Sequence, residues 1–345
     1  MKKLGIVLGT IVGILILFVA AVFFTVQTLA KPVTTAEAAK EVRLEVPYGE
    51  STYSVAAKLQ QDGIIRNAKL FYYSATKSKF LKIFYKDSLP ETFVLKSGTY
   101  TVNSAMTTGE IMTLLSSGQT EYVKVSIPEG LTISKIANIL EEKRICSAED
   151  FINVCNNSSL SKKYNIPFHS VEGYLFPDTY YLNIGMDASK VAGIMLDTFY
   201  EKIKEVPGLA EKSVGDLNDI VILASIVQRE YQLDSEAPLI ASVFKNRIKG
   251  NIGLYSCATV EYIITEIQGR PHPGRILIED TKIDSPYNTY KWAGLTPGPI
   301  SNPGLVALNA STNTPKTSYY FFQVADSKTG KHVFTSTFEE HKENH

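Results

Sequence analysis

Ser126-Ile127-Pro128-Glu129-Gly130-Leu131-Thr132 has an echo 81 positions earlier, Glu45-Val46-Pro47-Tyr48-Gly49-Glu50-Ser51. A fixed offset between two such stretches is the mark of an internal repeat, and it holds beyond the turn. Val55-Ala56 falls on Ile136-Ala137, Leu59 on Leu140 and Ile64 on Ile145, while Phe71 and Phe151 follow one residue out of step. Each copy reads as a strand, a Pro-x-Gly turn, and a helix entered through Ser51 or Thr132. In the second copy Ile133, Ile136, Ala137 and Leu140 keep the 3, 4 and 7 spacing of one buried helical face. The helices are expected to end near Gly63 and Lys143, each followed by a second helix. The short strand Lys96–Val102 and the capped helix Met106–Leu115 lie between the copies.

Outward from the repeat, the N-terminal end is apolar. Lys2 and Lys3 precede an uncharged run from Leu4 to Val26, and roughly 20 apolar residues suffice for a membrane-crossing helix. The basic flank predicts a cytoplasmic N-terminus with the remainder exported, although Lys31 opposes that bias. A cleaved signal peptide would have a shorter apolar core and a small-residue cleavage site, and Val26-Gln27-Thr28-Leu29-Ala30 is a poor one. Residues 4–26 are therefore expected to contact membrane lipid, in a single-pass protein of a cell membrane.

The 35 basic and 35 acidic residues cancel, which leaves no basic excess for a nucleic-acid surface. Cys146, Cys155 and Cys257 are too few and too odd for a disulfide framework. Cys146 and Cys155 are within pairing distance along the chain, but small buried apolar residues is the preferred reading. His169, His272, His332, His341 and His345 are scattered with no metal-ligand spacing, so neither a metal nor a cofactor is expected.

Further on, Val171-Glu172-Gly173-Tyr174-Leu175-Phe176-Pro177-Asp178-Thr179-Tyr180-Tyr181 is dense in aromatic residues and carries two acids. Residues 188–205 read as an amphipathic helix. Asp216 to Asp219 reads as the start of another, whose body Ile220–Val227 is apolar all round and so should be buried and central. It leads into Gln228-Arg229-Glu230. Ser235 is expected to cap the next helix, with Pro238 in its first turn. Gly294 to Gly304 is a Pro/Gly-rich loop of fixed shape and a candidate cleft wall. Tyr319–Val324 and His332–Thr335 read as a closing β-hairpin. The expected class is α+β: a transmembrane helix (1–30), a linker (31–43), two small βα modules (44–120 and 121–182) and a catalytic domain (183–345) with the buried helix and the hairpin.

Several of these segments, in this order, resemble the endolytic murein transglycosylase family, the YceG-like proteins. The matching pieces are Glu172–Tyr180, Leu223–Val227, Ala241–Arg247, Ala258–Val260, Asp284–Tyr290, Gly294–Gly304, His332 and His341. The βααβ modules loosely resemble LysM, a glycan-gripping domain. The resemblance implies a membrane-anchored lyase that cuts nascent peptidoglycan strands internally between N-acetylmuramic acid and N-acetylglucosamine. No water is consumed, because the muramoyl C6 hydroxyl closes on C1 to leave a 1,6-anhydro end. It also implies penicillin-binding synthases as partners. One carboxyl can serve as acid and then base in such a reaction.

The resemblance puts that acid just after Ala224-Ser225-Ile226-Val227, where this chain has Gln228. Tyr255-Ser256-Cys257 also departs from the family's Asp-Pro before Thr259-Val260. Three readings stay open. Glu230 or Glu172 supplies the acid; or the chain binds glycan with little or no cutting; or Gln228 has been exchanged for a natural Glu. On a regular helix Glu230 would lie about 200° around the axis from position 228. Asp178, Tyr174, Arg247, Tyr287 and Asn288 are the candidate substrate-binding residues, through hydrogen bonds, charge and ring stacking.

Overall fold

The computed structural model describes residues 2–47, 49–77, 85, 89–118, 122–326 and 328–343; Tyr48 of the first repeat lies outside them. The chain begins with helix α1 (Lys2–Ala30), whose segment Gly9–Ala30 has a mean hydropathy of 2.7 and is almost wholly unburied. It is long and apolar enough to cross a membrane.

The rest is mixed α and β and divides into two compact units, residues 1–123 with 182–186, and 124–181 with 187–345. The first unit carries β1 (Glu41–Val46), α2 (Thr52–Gln61), α3 (Ala68–Thr76), β2 (Gly98–Asn103) and α4 (Thr108–Ser117). β1 and β2 pair antiparallel, from Glu41 opposite Asn103 to Val46 opposite Gly98. Leu44, Leu59, Ile64, Phe71, Tyr100 and Met112 form its core. α4 opens with a capping box between Thr107 and Glu110, which satisfies two otherwise orphaned backbone amides.

The second repeat runs from β3 (Tyr122–Ser126) through α5 (Ile133–Glu142), α6 (Ala148–Cys155) and α7 (Ser158–Lys163) to β4 (Thr179–Asn183), which pairs with β3. The two copies agree in detail. Ser51 and Thr132 both cap their helices, accepting from the amides of Ser54 and Lys135. Both helices end in the same motif: Ile64 N–H reaches Leu59 O and Ile145 N–H reaches Leu140 O, at 2.9 and 2.8 Å. That bond requires a left-handed residue just before it. Gly63 supplies it in the first copy with φ 74°, and Arg144 adopts it in the second with φ 60°, a conformation that costs a side-chain-bearing residue about 1 kcal/mol. Residues 124–181 of the stretch 121–182 belong to the same unit as 187–345.

That unit continues with α8 (Ala188–Lys202), α9 (Val214–Val227), α10 (Ala237–Lys249), α11 (Cys257–Tyr262), α12 (Leu305–Thr312), the antiparallel hairpin β5 (Phe321–Asp326) and β6 (Lys331–Thr335), and α13 (Phe338–Glu343). α9 is the buried central helix, with every residue from Val221 to Val227 buried. Two helix starts differ from expectation. α9 begins at Val214, because Ser213 takes the capping role by accepting from Asp216 N–H; Asp216 sits inside the first turn and receives the Ser213 hydroxyl at 2.7 Å. Ser235 does not cap α10. Residues Asp234–Glu236 form a tight 3-10 turn that runs directly into the helix, with Pro238 in its first turn. All three cysteines are free thiols; burial pushes Cys146 up to about 12 and Cys155 well above the ordinary thiol range.

Candidate active site

The apolar run of α9 ends at Val227 and the helix tightens there. Arg229 N–H bonds to Ile226 O and Glu230 N–H to Val227 O, each at 3.0 Å and three residues back. An i→i−3 turn advances each residue further around the axis than an α turn does. Gln228 and Glu230 point to different surroundings.

Gln228 is half-buried at the head of a cluster. Its Nε2 donates to Glu129 Oε2 at 3.2 Å, and its Oε1 accepts from Gly304 N–H at 2.9 Å and from the Tyr231 hydroxyl at 3.3 Å. The Tyr231 hydroxyl lies 3.5 Å from Glu129 Oε2. Burial pushes the Tyr231 phenol up to about 12, with the Glu129 charge adding to it, so it stays a donor at neutral pH. Glu129 itself is exposed.

The Pro/Gly loop builds the floor of this cluster. Ser225 of α9 accepts from Ile300 N–H at 3.0 Å, and Ser301 Oγ returns to Ser225 O at 2.9 Å. Asn302 then ties three segments together. Its carbonyl accepts from Gly130 N–H at 2.8 Å, its Oδ1 from Leu175 N–H at 2.8 Å, and its Nδ2 donates to Leu131 O at 2.9 Å and Glu172 Oε1 at 2.7 Å. Each buried polar group is thus paired, as burial demands. The turn carrying Glu129 is held by this network to within one hydrogen bond of Gln228.

Glu172 lies beneath, with 7 % of its surface exposed. Its Oε2 accepts from Ile133 N–H at 3.1 Å, at the start of α5, where the helix dipole favours an anion. Burial outweighs these donors and pushes its carboxyl up to about 8. Glu230 receives the Ser256 hydroxyl in a short bond. Burial raises its carboxyl above the usual range against the pull of Arg229, His332 and Arg247. It lines a cavity of about 390 Å³ with Arg247, Tyr255, Phe244, Phe321 and His341.

The remaining expected site residues scatter. Tyr174 is buried, packs on Phe199 at 5.0 Å and donates to Asn218 at 3.2 Å. Asp178 is exposed and accepts from Thr179 N–H at 2.6 Å, shaping its own turn. Arg247 is buried, with Nε on Tyr320 O at 2.7 Å and Nη1 on Leu254 O at 2.5 Å. Asn288 is fully buried and staples its loop through Thr281 O and Ile283 O at 2.9 and 2.7 Å. Tyr287 is half-buried against the Tyr262 ring at 5.3 Å; burial and then the nearby Glu172 charge raise both phenols. A second carboxylate cluster flanks Gln228. Glu261 Oε1 is shared by Arg229 at 2.9 Å, His272 at 3.1 Å and Lys135 at 3.6 Å. Among the described residues no group of His, Cys, Asp and Glu is arranged to hold a metal ion.

Sequence reasoning passed over Glu129, Tyr231, Asn302 and Gly304. Glu129 carried one signal: it fills the Pro-x-Gly turn where the first repeat has Tyr48.

A fold of mixed helices and short strand pairs of this kind has known counterparts. Residues 44–345 match the model of the YceG-like family, and the chain belongs to that family. A Bacillus subtilis endolytic murein transglycosylase is 30 % identical over 342 residues, covering 94 % of this chain and 89 % of the relative. A Streptococcus pneumoniae protein of the same name is 27 % identical over 90 % of this chain, which spans 58 % of that longer protein. The crystal structure of a YceG-like protein from Listeria monocytogenes superposes with a TM-score of 0.57 at 28 % identity, over 88 % of this chain and 99 % of that one.

Proposed function

We propose that this chain is a membrane-anchored lytic transglycosylase that cuts peptidoglycan glycan strands between N-acetylmuramic acid and N-acetylglucosamine, leaving 1,6-anhydro ends. The observation that carries the reading is the cluster at the end of α9. There the Gln228 carboxamide lies within hydrogen-bonding distance of an exposed carboxylate, a phenol and a backbone amide, and the phenol reaches the carboxylate as well. Sugar chains are bound by such mixed donors and acceptors, and glycosidic bond cleavage needs a carboxyl able to move a proton. The names and coverage of the relatives support it. The apolar N-terminal helix supports an activity held at a membrane, and its basic flank supports a cytoplasmic N-terminus with residues 31–345 outside. The βααβ copies act as LysM-like supports for the strand, and a peptidoglycan synthase is the natural partner of an enzyme held at that surface.

A second reading has its own observation. Gln228 has no acidic proton, so a chain relying on that side chain would bind glycan without cutting it. Digestion of purified glycan strands by the full chain in detergent separates the two. New 1,6-anhydro ends, read by mass spectrometry, are expected. Strand binding with no such ends would leave the scaffold reading and overturn the enzymatic one.

A further inference from the structure

We propose that Glu129 is the catalytic carboxyl of this chain, with Gln228 as its positioning residue. This rests on the glycan-cleaving reading. Of the carboxyl groups around the end of α9, Glu236 is taken by His332 and Asp234 makes no hydrogen bond to Gln228 or Tyr231 among the described residues; the partners of five others distinguish them. Glu172 is buried, with one oxygen on Asn302 and the other on Ile133 N–H. Glu230 is engaged by Ser256 and faces the aromatic cavity. Glu261 is claimed by Arg229, Lys135 and His272. Glu266 receives the Ser134 hydroxyl on one oxygen at 2.6 Å and the Thr265 hydroxyl on the other at 3.2 Å. Glu129 alone of the five is exposed. Its Oε2 meets Gln228 and Tyr231, and its Oε1 receives no protein donor among the described residues. That oxygen is left to bond a substrate.

The seat of this carboxyl is built. A Cβ added to Gly304 would stand 1.8 Å from Glu129 Oε1 and 2.1 Å from its Cδ. The carboxyl therefore lies flat on the Gly304 backbone, in space that only glycine leaves. Gly304 has φ −85°, so close approach is what demands glycine here, not the backbone angle. The same residue's N–H holds Gln228 Oε1, which turns the amide so that Nε2 faces Glu129.

The step balances. The protonated Glu129 gives its proton to the glycosidic oxygen as the C1–O bond breaks, and that oxygen keeps the bonding pair and leaves as an alcohol. The C6 hydroxyl oxygen bonds to C1, and its proton returns to the Glu129 carboxylate. Nothing is oxidised or reduced, and no water enters. Between the two transfers Gln228 Nε2 stabilises the carboxylate, and the single Tyr231 proton, shared between Gln228 Oε1 and Glu129 Oε2, turns toward it.

The test uses the full chain in detergent with glycan strands bearing stem peptides. Glu129→Gln is expected to slow formation of 1,6-anhydro ends by ~100-fold or more, with strand binding and melting temperature retained. The wild-type rate is expected to vary with pH and the residual rate to lose that dependence, a change that a purely structural role would not produce. Anhydro ends formed by Glu129→Gln at the wild-type rate would overturn the assignment while leaving the glycan-cleaving reading intact. Absence of such ends from the wild type, with Gln228→Glu producing them, would overturn that reading and the assignment with it.

Discussion

Gln228 Nε2 donates to Glu129 Oε2 at 3.2 Å across 99 residues of chain. The bond joins an amide that cannot ionise to a carboxylate that can. Replacing the amide by a carboxyl places two acids about as far apart as those of a proton-sharing dyad. In Gln228→Glu, one of the two is expected to hold a proton well above the ordinary carboxylate range. A carboxyl whose folded pKa is raised contributes stability below its unfolded value and loses it as pH rises toward the folded one. The variant should match the wild type in melting temperature at about pH 4, below the ordinary carboxylate value, and fall below it as pH rises to about 8. The deficit grows by about 1.4 kcal/mol for each unit of raised pKa. Thermal unfolding across that range checks this; a pH-independent difference would mean that the two side chains do not meet in solution.

Gly304→Ala tests the seat without touching either functional group. The new methyl would occupy the position of Glu129 Oε1, and Glu129, being exposed, can swing away into water. The expected stability cost is small, about 1 kcal/mol, because no core packing changes. Formation of 1,6-anhydro ends should fall at least tenfold. Melting temperature and product analysis on the same preparation separate a displaced carboxyl from a damaged fold.

The scaffold was largely legible because its signals are local. The caps at Ser51 and Thr132, the buried face of α5 and the all-round apolar α9 follow from spacing within a dozen residues. Asp216 and Asp219 imitate a cap at the start of α9, but the hydroxyl of Ser213, three residues before Asp216, takes that role. The site was less legible, because it is assembled by pairs far apart in sequence. Asn302 binds Gly130, Leu131, Glu172 and Leu175 through bonds spanning more than 120 positions, and no periodicity encodes them. The aromatic motif around Tyr174 read as a sugar platform. Spacing alone does not distinguish a ring facing a cleft from one packed on Phe199.

Glu172 predicts a pH dependence of the whole fold. Burial raises its folded carboxyl to about 8, from 4.5 in the absence of that environment. The folded chain therefore binds more protons than the unfolded one between those values, and stability declines as pH rises through that window. A decline of several kcal/mol from pH 5 to pH 8 is expected from this group. Glu172→Gln should flatten the curve, at a constant cost of ~1–3 kcal/mol because the amide cannot accept from both Ile133 and Asn302. Chemical unfolding at several pH values would show it, and an equally steep curve in the variant would assign the dependence to another group.

The hairpin is fastened by a buried pair. His332 Nδ1 lies 2.7 Å from Glu236 Oε2, and His332 N–H reaches both oxygens of Glu236 at 3.1 Å. The pair joins β6 to the residue that precedes α10, and both side chains are almost fully buried. Removing one member strands the other. His332→Leu leaves the Glu236 carboxylate buried with only a backbone donor, and a loss of about 3 kcal/mol is expected. Glu236→Leu together with His332→Leu removes both polar groups and should recover part of that loss, since apolar side chains of similar size suit the space. Phe322 and Phe334 already pack around the His332 ring at 5.7 and 6.3 Å. A double-mutant cycle by chemical unfolding measures the coupling; additive single losses would show that the pair contributes nothing beyond packing.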